Sequence, residues 1–202
     1  TNTKSIALDG VDDFVDCGND SSLNLTSQIT WSAWVKFNAL NNAVNYGIVS
    51  NFDPNQGFKY TFIYYPSTTS SSRKLRLRIN ASSGSLSGYY DTSIDLSDNQ
   101  WHHVAFTVSG QQMKAYVNGK FVSNKNSQYY AVWPNVDLPF YIADPWHATG
   151  GFRLAKMKWY PFNLTGDFIS NMAMTTLPVK LEERKEIRSV QRTKSDKIVL
   201  TN

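Results

Sequence analysis

The sequence predicts an all-β protein: a two-sheet antiparallel jelly-roll β-sandwich with a short helical turn and a charged C-terminal extension. Three observations predict it. Strand-like runs rich in β-branched and aromatic residues recur along most of the 202 residues, separated by clusters of Asp, Asn, Ser and Gly. Leu75-Arg76-Leu77-Arg78-Ile79 alternates with period two, one face aliphatic and the other basic. All three Glu residues, Glu182, Glu183 and Glu186, lie in the last stretch, so the body lacks a residue that favours helices and is depleted in strands.

The elements follow in order. Ser5–Leu8 leads into the turn dipeptide Asp9-Gly10, and Phe14–Cys17 is expected to return as the second arm of an opening hairpin. Ile29–Phe37 alternates apolar and polar residues, so Trp31 and Trp34 fall on opposite faces and only one of them can be core from that strand alone. Tyr46–Ser50, Phe58–Tyr65, Leu75–Ile79 and Trp101–Val108 follow as strands. Met113–Val117 runs into Asn118-Gly119, the strongest hairpin signal in the chain, because both turn positions need positive φ. Phe121-Val122 continues beyond that turn, Asn124–Asp137 reads as a long loop, and Phe140–Ala143 and Phe152–Tyr160 read as closing strands. Thr165–Met172 reads as a short helix capped by Thr165.

This pattern places one domain over residues 1–175 and a basic extension over residues 176–202. The extension holds seven Lys or Arg and four acids, against 13 and 12 in the body. A near-neutral body with a basic tail does not read as a nucleic-acid groove, so no nucleic-acid partner is expected. The extension reads as solvated chain or as an arm that packs on a protein partner. No run of residues is apolar over membrane length, so no membrane insertion is expected. The sequence opens on Thr1 rather than Met, so a processed chain or an excised domain is expected. Cys17 is the sole cysteine, which excludes an internal disulfide, and it is expected to act as a small buried hydrophobe.

Several motifs carry a family resemblance. Leu8–Val15 resembles the opening of laminin G-like domains of the concanavalin A superfamily, and Ile29-Thr30-Trp31-Ser32-Ala33-Trp34-Val35-Lys36 resembles their aromatic strand. Trp101-His102-His103-Val104-Ala105-Phe106-Thr107 followed by Tyr116-Val117-Asn118-Gly119-Lys120 is similar to a strand and hairpin shared by laminin G-like and pentraxin-like domains. Trp159-Tyr160 with Leu164-Thr165 resembles their closing strand and helical turn. Two departures stand out. An Asp-Glu pair often found in the closing strand is replaced by Ala155-Lys156, and the cysteines of pentraxins are missing.

The resemblance implies a lectin-like binding or adhesion module, although polysaccharide-degrading enzymes share the fold. Glycoside hydrolysis needs two carboxyl groups across the scissile bond. The body has no Glu, and its strand-compatible acid candidates are Asp91 with Asp95, which lie beside turns, and Asp137 with other loop acids. A lyase would need a base; His102 and His103 adjoin on a strand, and His147 is the only loop histidine. No catalytic residue is therefore assigned.

Sugar binding asks for aromatic faces beside amides, carboxylates and ring donors. Tyr130 and Trp133 lie in one aromatic loop, Asp144, Trp146 and His147 in a second, and Tyr90 in the Tyr89-Tyr90 pair. These six are the candidate carbohydrate contacts. Tyr pairs on strands commonly place one ring in the core, and Trp beside Pro commonly packs on the fold. Asp9, Asp12 and Asp13 form turns and could also offer oxygens to calcium, which many relatives bind. Asn-x-Ser/Thr sequons occur at Asn19, Asn24, Asn80 and Asn163. The expected function is a non-catalytic carbohydrate-binding or adhesion module at an extracellular, cell or virion surface. The alternative is a structural or interaction domain of a surface assembly such as a capsid, fibre or envelope.

Overall fold

The computed structural model describes residues 4–20, 23, 28–37, 46–53, 57–65, 74–80, 87–91, 94–96, 98–126, 140–143, 151–160 and 162–175. The extension from residue 176 and the loops bearing Tyr130, Trp133, Asp144, Trp146 and His147 lie outside them.

Among the described residues, two six-stranded sheets form the fold. The first contains β1 (Ile6–Leu8), β12 (Phe152–Tyr160), β3 (Gln28–Phe37), β8 (His102–Ser109), β9 (Gln112–Val117) and β10 (Lys120–Asn126), in that spatial order. The second contains β2 (Val15–Asp16), β11 (Tyr141–Ile142), β4 (Tyr46–Asp53), β5 (Gly57–Tyr65), β6 (Lys74–Asn80) and β7 (Ser87–Asp91). Every pairing among them is antiparallel. This is the two-sheet sandwich that the alternating runs predict.

The core lies between the sheets. Trp31, Ala33, Val35 and Phe37 of β3, Val104, Phe106 and Val108 of β8, and Leu75 and Leu77 of β6 all belong to it. Leu75 and Leu77 are buried while Arg76 between them is half-buried, as the alternation requires. Cys17 is half-buried against this core.

Two expectations need correction. Ser5–Cys17 is not a hairpin: β1 pairs β12 in one sheet, and β2 pairs β11 in the other. The Asp9–Phe14 connection therefore crosses between the sheets, helped by positive φ at Gly10. The long loop also begins later than expected. Asn124, Lys125 and Asn126 pair with Lys114, Met113 and Gln112, because the register resumes after a bulge between Phe121 and Ser123.

The helix α1 (Gly166–Thr175) covers the outer face of the first sheet. Its Ile169 and Met172 pack with Ala105 and Tyr116 in a second, smaller cluster. The Thr165 hydroxyl accepts the Phe168 N–H at 3.3 Å, the capping contact its position predicts. Thr30 ties the approach to the helix down, donating to the Phe162 carbonyl and accepting the Leu164 N–H, both at 2.9 Å. The outer face of β3 is consequently buried too, at Thr30, Ser32 and Trp34. Trp31 alone of the two tryptophans enters the inter-sheet core, and Trp34 is buried on the opposite side.

Candidate functional site

The strand register sorts the connections between two rims. Phe152 pairs with both Leu8 and Phe37, and His102 pairs with Val35. The connections that leave Leu8, Phe37 and Val117, and those that enter His102 and Phe152, therefore share one rim. In the second sheet Ile142 pairs with Val15 and Val49, and the Ala143 N–H donates to the Ile48 carbonyl. The segment 144–150 thus leaves the described residues at Ala143 and rejoins them at Gly151 on that same rim.

Asp9, Asp12 and Asp13 stand on this rim, all exposed, with one carboxylate oxygen from each within 4.8 Å of the others. Local hydrogen bonds shape the group. Asp9 accepts the Val11 N–H at 2.8 Å, and Asp13 accepts the Asp9 N–H at 2.9 Å. Both are turn contacts of the kind short acids make with nearby backbone. Gly151 lies hard against this turn: a Cβ there would sit 2.6 Å from the Asp9 carbonyl oxygen. Only glycine allows that approach. The flank of the segment carrying Asp144, Trp146 and His147 is thereby fixed beside the acidic trio.

The other aromatic candidates distribute differently. Asn126 pairs with Gln112, and the Phe140 N–H donates to the Gly18 carbonyl at 2.8 Å. Both flanks of the segment holding Tyr130 and Trp133 therefore lie at the opposite rim. Tyr90 pairs with Leu77 on the edge strand β7, next to Asp91, which pairs with Arg76. Five strand positions separate β7 from β2, roughly 24 Å at ordinary strand spacing.

A histidine network also occupies the first rim, and no motif for it is visible in one stretch of sequence. His102 Nε2 lies 2.8 Å from Asp98 Oδ1, and its Nδ1 lies 3.2 Å from the Asn118 side-chain nitrogen. That hydrogen bond, with the Gln100 N–H, holds the Asp98 carboxyl below its ordinary range, although partial burial acts the other way. His103 is buried beside Trp34, ring centroids 5.5 Å apart. The only sequence signal for this network is the spacing of Asp98, His102 and Asn118 around a hairpin.

A family model for the concanavalin A-like lectin/glucanases superfamily matches residues 9–170. The chain belongs to this superfamily. No curated protein matches it. Among solved structures it resembles the binding domain of Paraclostridial Mosquitocidal Protein 1, with a TM-score of 0.62 and 18% identity over 87% of this chain and 47% of that one. It resembles a heptameric SAP-like pentraxin from Limulus polyphemus, with a TM-score of 0.54 and 19% identity over 83% and 84%. It also resembles botulinum neurotoxin type C, whose cell entry depends upon interaction with two ganglioside molecules, with a TM-score of 0.56 and 14% identity over 77% and 36%. This chain spans less than half the length of the two toxin chains. At these identities the likeness is one of fold. No helix among the described residues is long and apolar enough to cross a membrane.

Proposed function

We propose that this domain is a non-catalytic binding module that recognises carbohydrate at the rim carrying Asp9, Asp12 and Asp13. One observation carries the reading: the Gly151–Asp9 contact fixes the flank of the Asp144–His147 segment beside three exposed carboxylates. Trp146 supplies an aromatic face for a pyranose, and Asp144 and His147 supply groups for its hydroxyls. Tyr130 and Trp133 would form a second contact region, and Tyr90 a third on the edge of the other sheet. Binding domains of toxins and a pentraxin share the fold, and the type C neurotoxin depends on gangliosides, which are glycans on lipids. These parallels support an extracellular or surface role.

The trio also fits calcium chemically, since carboxylate oxygens suit a hard cation. Asp9, Asp12 and Asp13 would hold the ion, with one oxygen each of Asp9 and Asp13 already engaged by backbone. Such an ion would rigidify the rim turn and bridge to sugar hydroxyls. Asp12→Asn is expected to abolish any rise in melting temperature caused by calcium chloride.

A glycan array with the wild-type chain, Trp146→Ala and Trp133→Ala tests the proposal. Specific glycan signals lost in Trp146→Ala support it. An array without signal, or signals unchanged in both variants, would overturn it.

A further inference from the structure

Of the four Asn-x-Ser/Thr sequons, Asn163-Leu164-Thr165 is the one whose three residues are all described. It lies in the link between β12 and α1, outside both elements. Asn163 and Thr165 are exposed, and Leu164 between them packs half-buried against the smaller cluster. The buried Thr30 hydroxyl holds the backbone on either side of Asn163, donating to the Phe162 carbonyl and accepting the Leu164 N–H. Asn163 itself stands in solvent, and its side-chain amide makes no hydrogen bond with another described residue.

Two aromatic rings flank this amide. Phe162 is 47% exposed and Phe168 is 48% exposed. Phe162 rests against Tyr160, with ring centroids 5.6 Å apart, and the Tyr160 hydroxyl donates to the Met172 sulfur of α1 at 3.5 Å. The Phe168 N–H is held by the Thr165 hydroxyl at the start of the helix. Half-exposed rings on both sides of an exposed amide form an apolar patch with a polar centre. A sugar suits that pattern, because a pyranose lays its C–H face on a ring and keeps its hydroxyls in water.

We propose that Asn163 is an N-glycosylation site and that the first sugars of its glycan lie over Phe162 and Phe168. The Asn163 Nδ2 attacks C1 of the reducing-end N-acetylglucosamine of an oligosaccharide carried on a lipid pyrophosphate. The Nδ2–C1 bond forms and the bond from C1 to the pyrophosphate oxygen breaks. The amide proton passes to a base of the transferase, and the lipid pyrophosphate leaves. Transfer takes place on extended chain, so the fold decides whether the bulky product fits. It fits here without opening a strand or a helix. The glycan also leaves the acidic rim open. β12 runs from that rim at Phe152 to the opposite end at Tyr160, roughly 25 Å along an extended strand. The inference rests on the surface role proposed above, since the lipid-linked donor is met on the secretory route.

The test uses the full 202-residue chain secreted from cultured cells that carry out N-glycosylation. Its peptides are treated with an N-glycan amidase in heavy-oxygen water, and mass spectrometry is expected to find labelled aspartate at position 163. Asn163→Gln and Thr165→Asp should each lose this glycan. Thr165→Asp keeps a side-chain oxygen for the helix cap, so it separates the sequon from the capping bond. Both secreted variants should give about twofold more fluorescence with anilinonaphthalene sulfonate than wild type, because the apolar rings are uncovered. Adding Phe162→Ser to Asn163→Gln should bring the signal back towards wild type. An unmodified Asn163 in the secreted wild type overturns the proposal, and so does dye fluorescence unchanged in both variants. Chain made in bacteria, bare at Asn163, should give the same glycan-array signals as the secreted chain. An array without signal therefore refutes the rim reading alone, and an unmodified Asn163 refutes this inference alone.

Discussion

Asn118 and His103 hold each other at both ends of a reciprocal pair: the Asn118 N–H donates to the His103 carbonyl at 2.7 Å, and the His103 N–H donates to Asn118 Oδ1 at 3.0 Å. The contact locks the β9–β10 turn to the start of β8. Asn118 does this at φ 50, a left-handed conformation that Asn tolerates better than most residues. Asn118→Ala loses the side-chain acceptor and strains the turn, so it is expected to cost about 2 kcal/mol. Asn118→Gly should cost less, because it relieves the strain and loses only the side-chain bonds. Urea unfolding of the two variants measures the difference, and equal losses would count against the turn argument.

His103 makes stability depend on pH. Burial, with Lys158 adding to it, pushes its pKa down from 6.5 to about 4. The folded state therefore binds fewer protons at this site than the unfolded chain between those values. Stability from this group is complete above about pH 6.5 and is lost as pH falls towards 4. The full loss is of order 3 kcal/mol, at 1.36 kcal/mol per pH unit. Urea unfolding of wild type and His103→Phe at pH 7 and pH 4.5 is the check. The variant should lose clearly less stability on acidification than wild type.

Cys17 is expected to resist thiol reagents. Burial and the neighbouring Asp16 carboxylate push its thiol up to about 11. At pH 8 the thiolate fraction is then about one in a thousand, and the thiolate is the reactive form. A disulfide-exchange reagent should label the native chain at least tenfold more slowly than the chain in urea. Native labelling at the unfolded rate would contradict the placement of Cys17 against the core.

Gly151→Ala tests how far the rim depends on close backbone approach. The new Cβ would meet the Asp9 carbonyl, so either the Asp9 turn or the start of β12 must shift. A loss of about 1–3 kcal/mol is expected, as for other overpacked positions. Glycan binding at the rim should weaken together with the melting temperature. If binding survives while stability falls, the Asp9 turn does not organise the sugar site.

Purified protein is expected to release no reducing sugar from β-glucans, alginate or other common polysaccharides. A hydrolytic pair needs two carboxyl groups held across the bond. The acidic trio of the rim is exposed and partly engaged by backbone. Sugar release that disappears in Asp91→Asn or Asp95→Asn would reverse the assignment.

Much of the architecture is local, and local information is written in the sequence. Alternation places Leu75 and Leu77 inward, Asn118-Gly119 takes positive φ at both positions, and Thr165 caps the helix, because each depends only on neighbours within a few residues. The partner of a strand is not local. Phe14–Cys17 looks like a return arm, yet its strand Val15–Asp16 joins Tyr141 and Ile142, some 125 residues away, because burying two sheet faces outweighs closing a short hairpin. The acidic trio was visible in sequence as a cluster; that Gly151 anchors the flank of a distant aromatic segment beside it was not. Nor does any stretch of sequence announce Lys36 opposite Arg153, since that charge pair exists only where β3 and β12 meet. Composition and period determine which side of a strand is wet; only the tertiary register decides which side chains become neighbours, because it sets contacts between residues that share no local geometry.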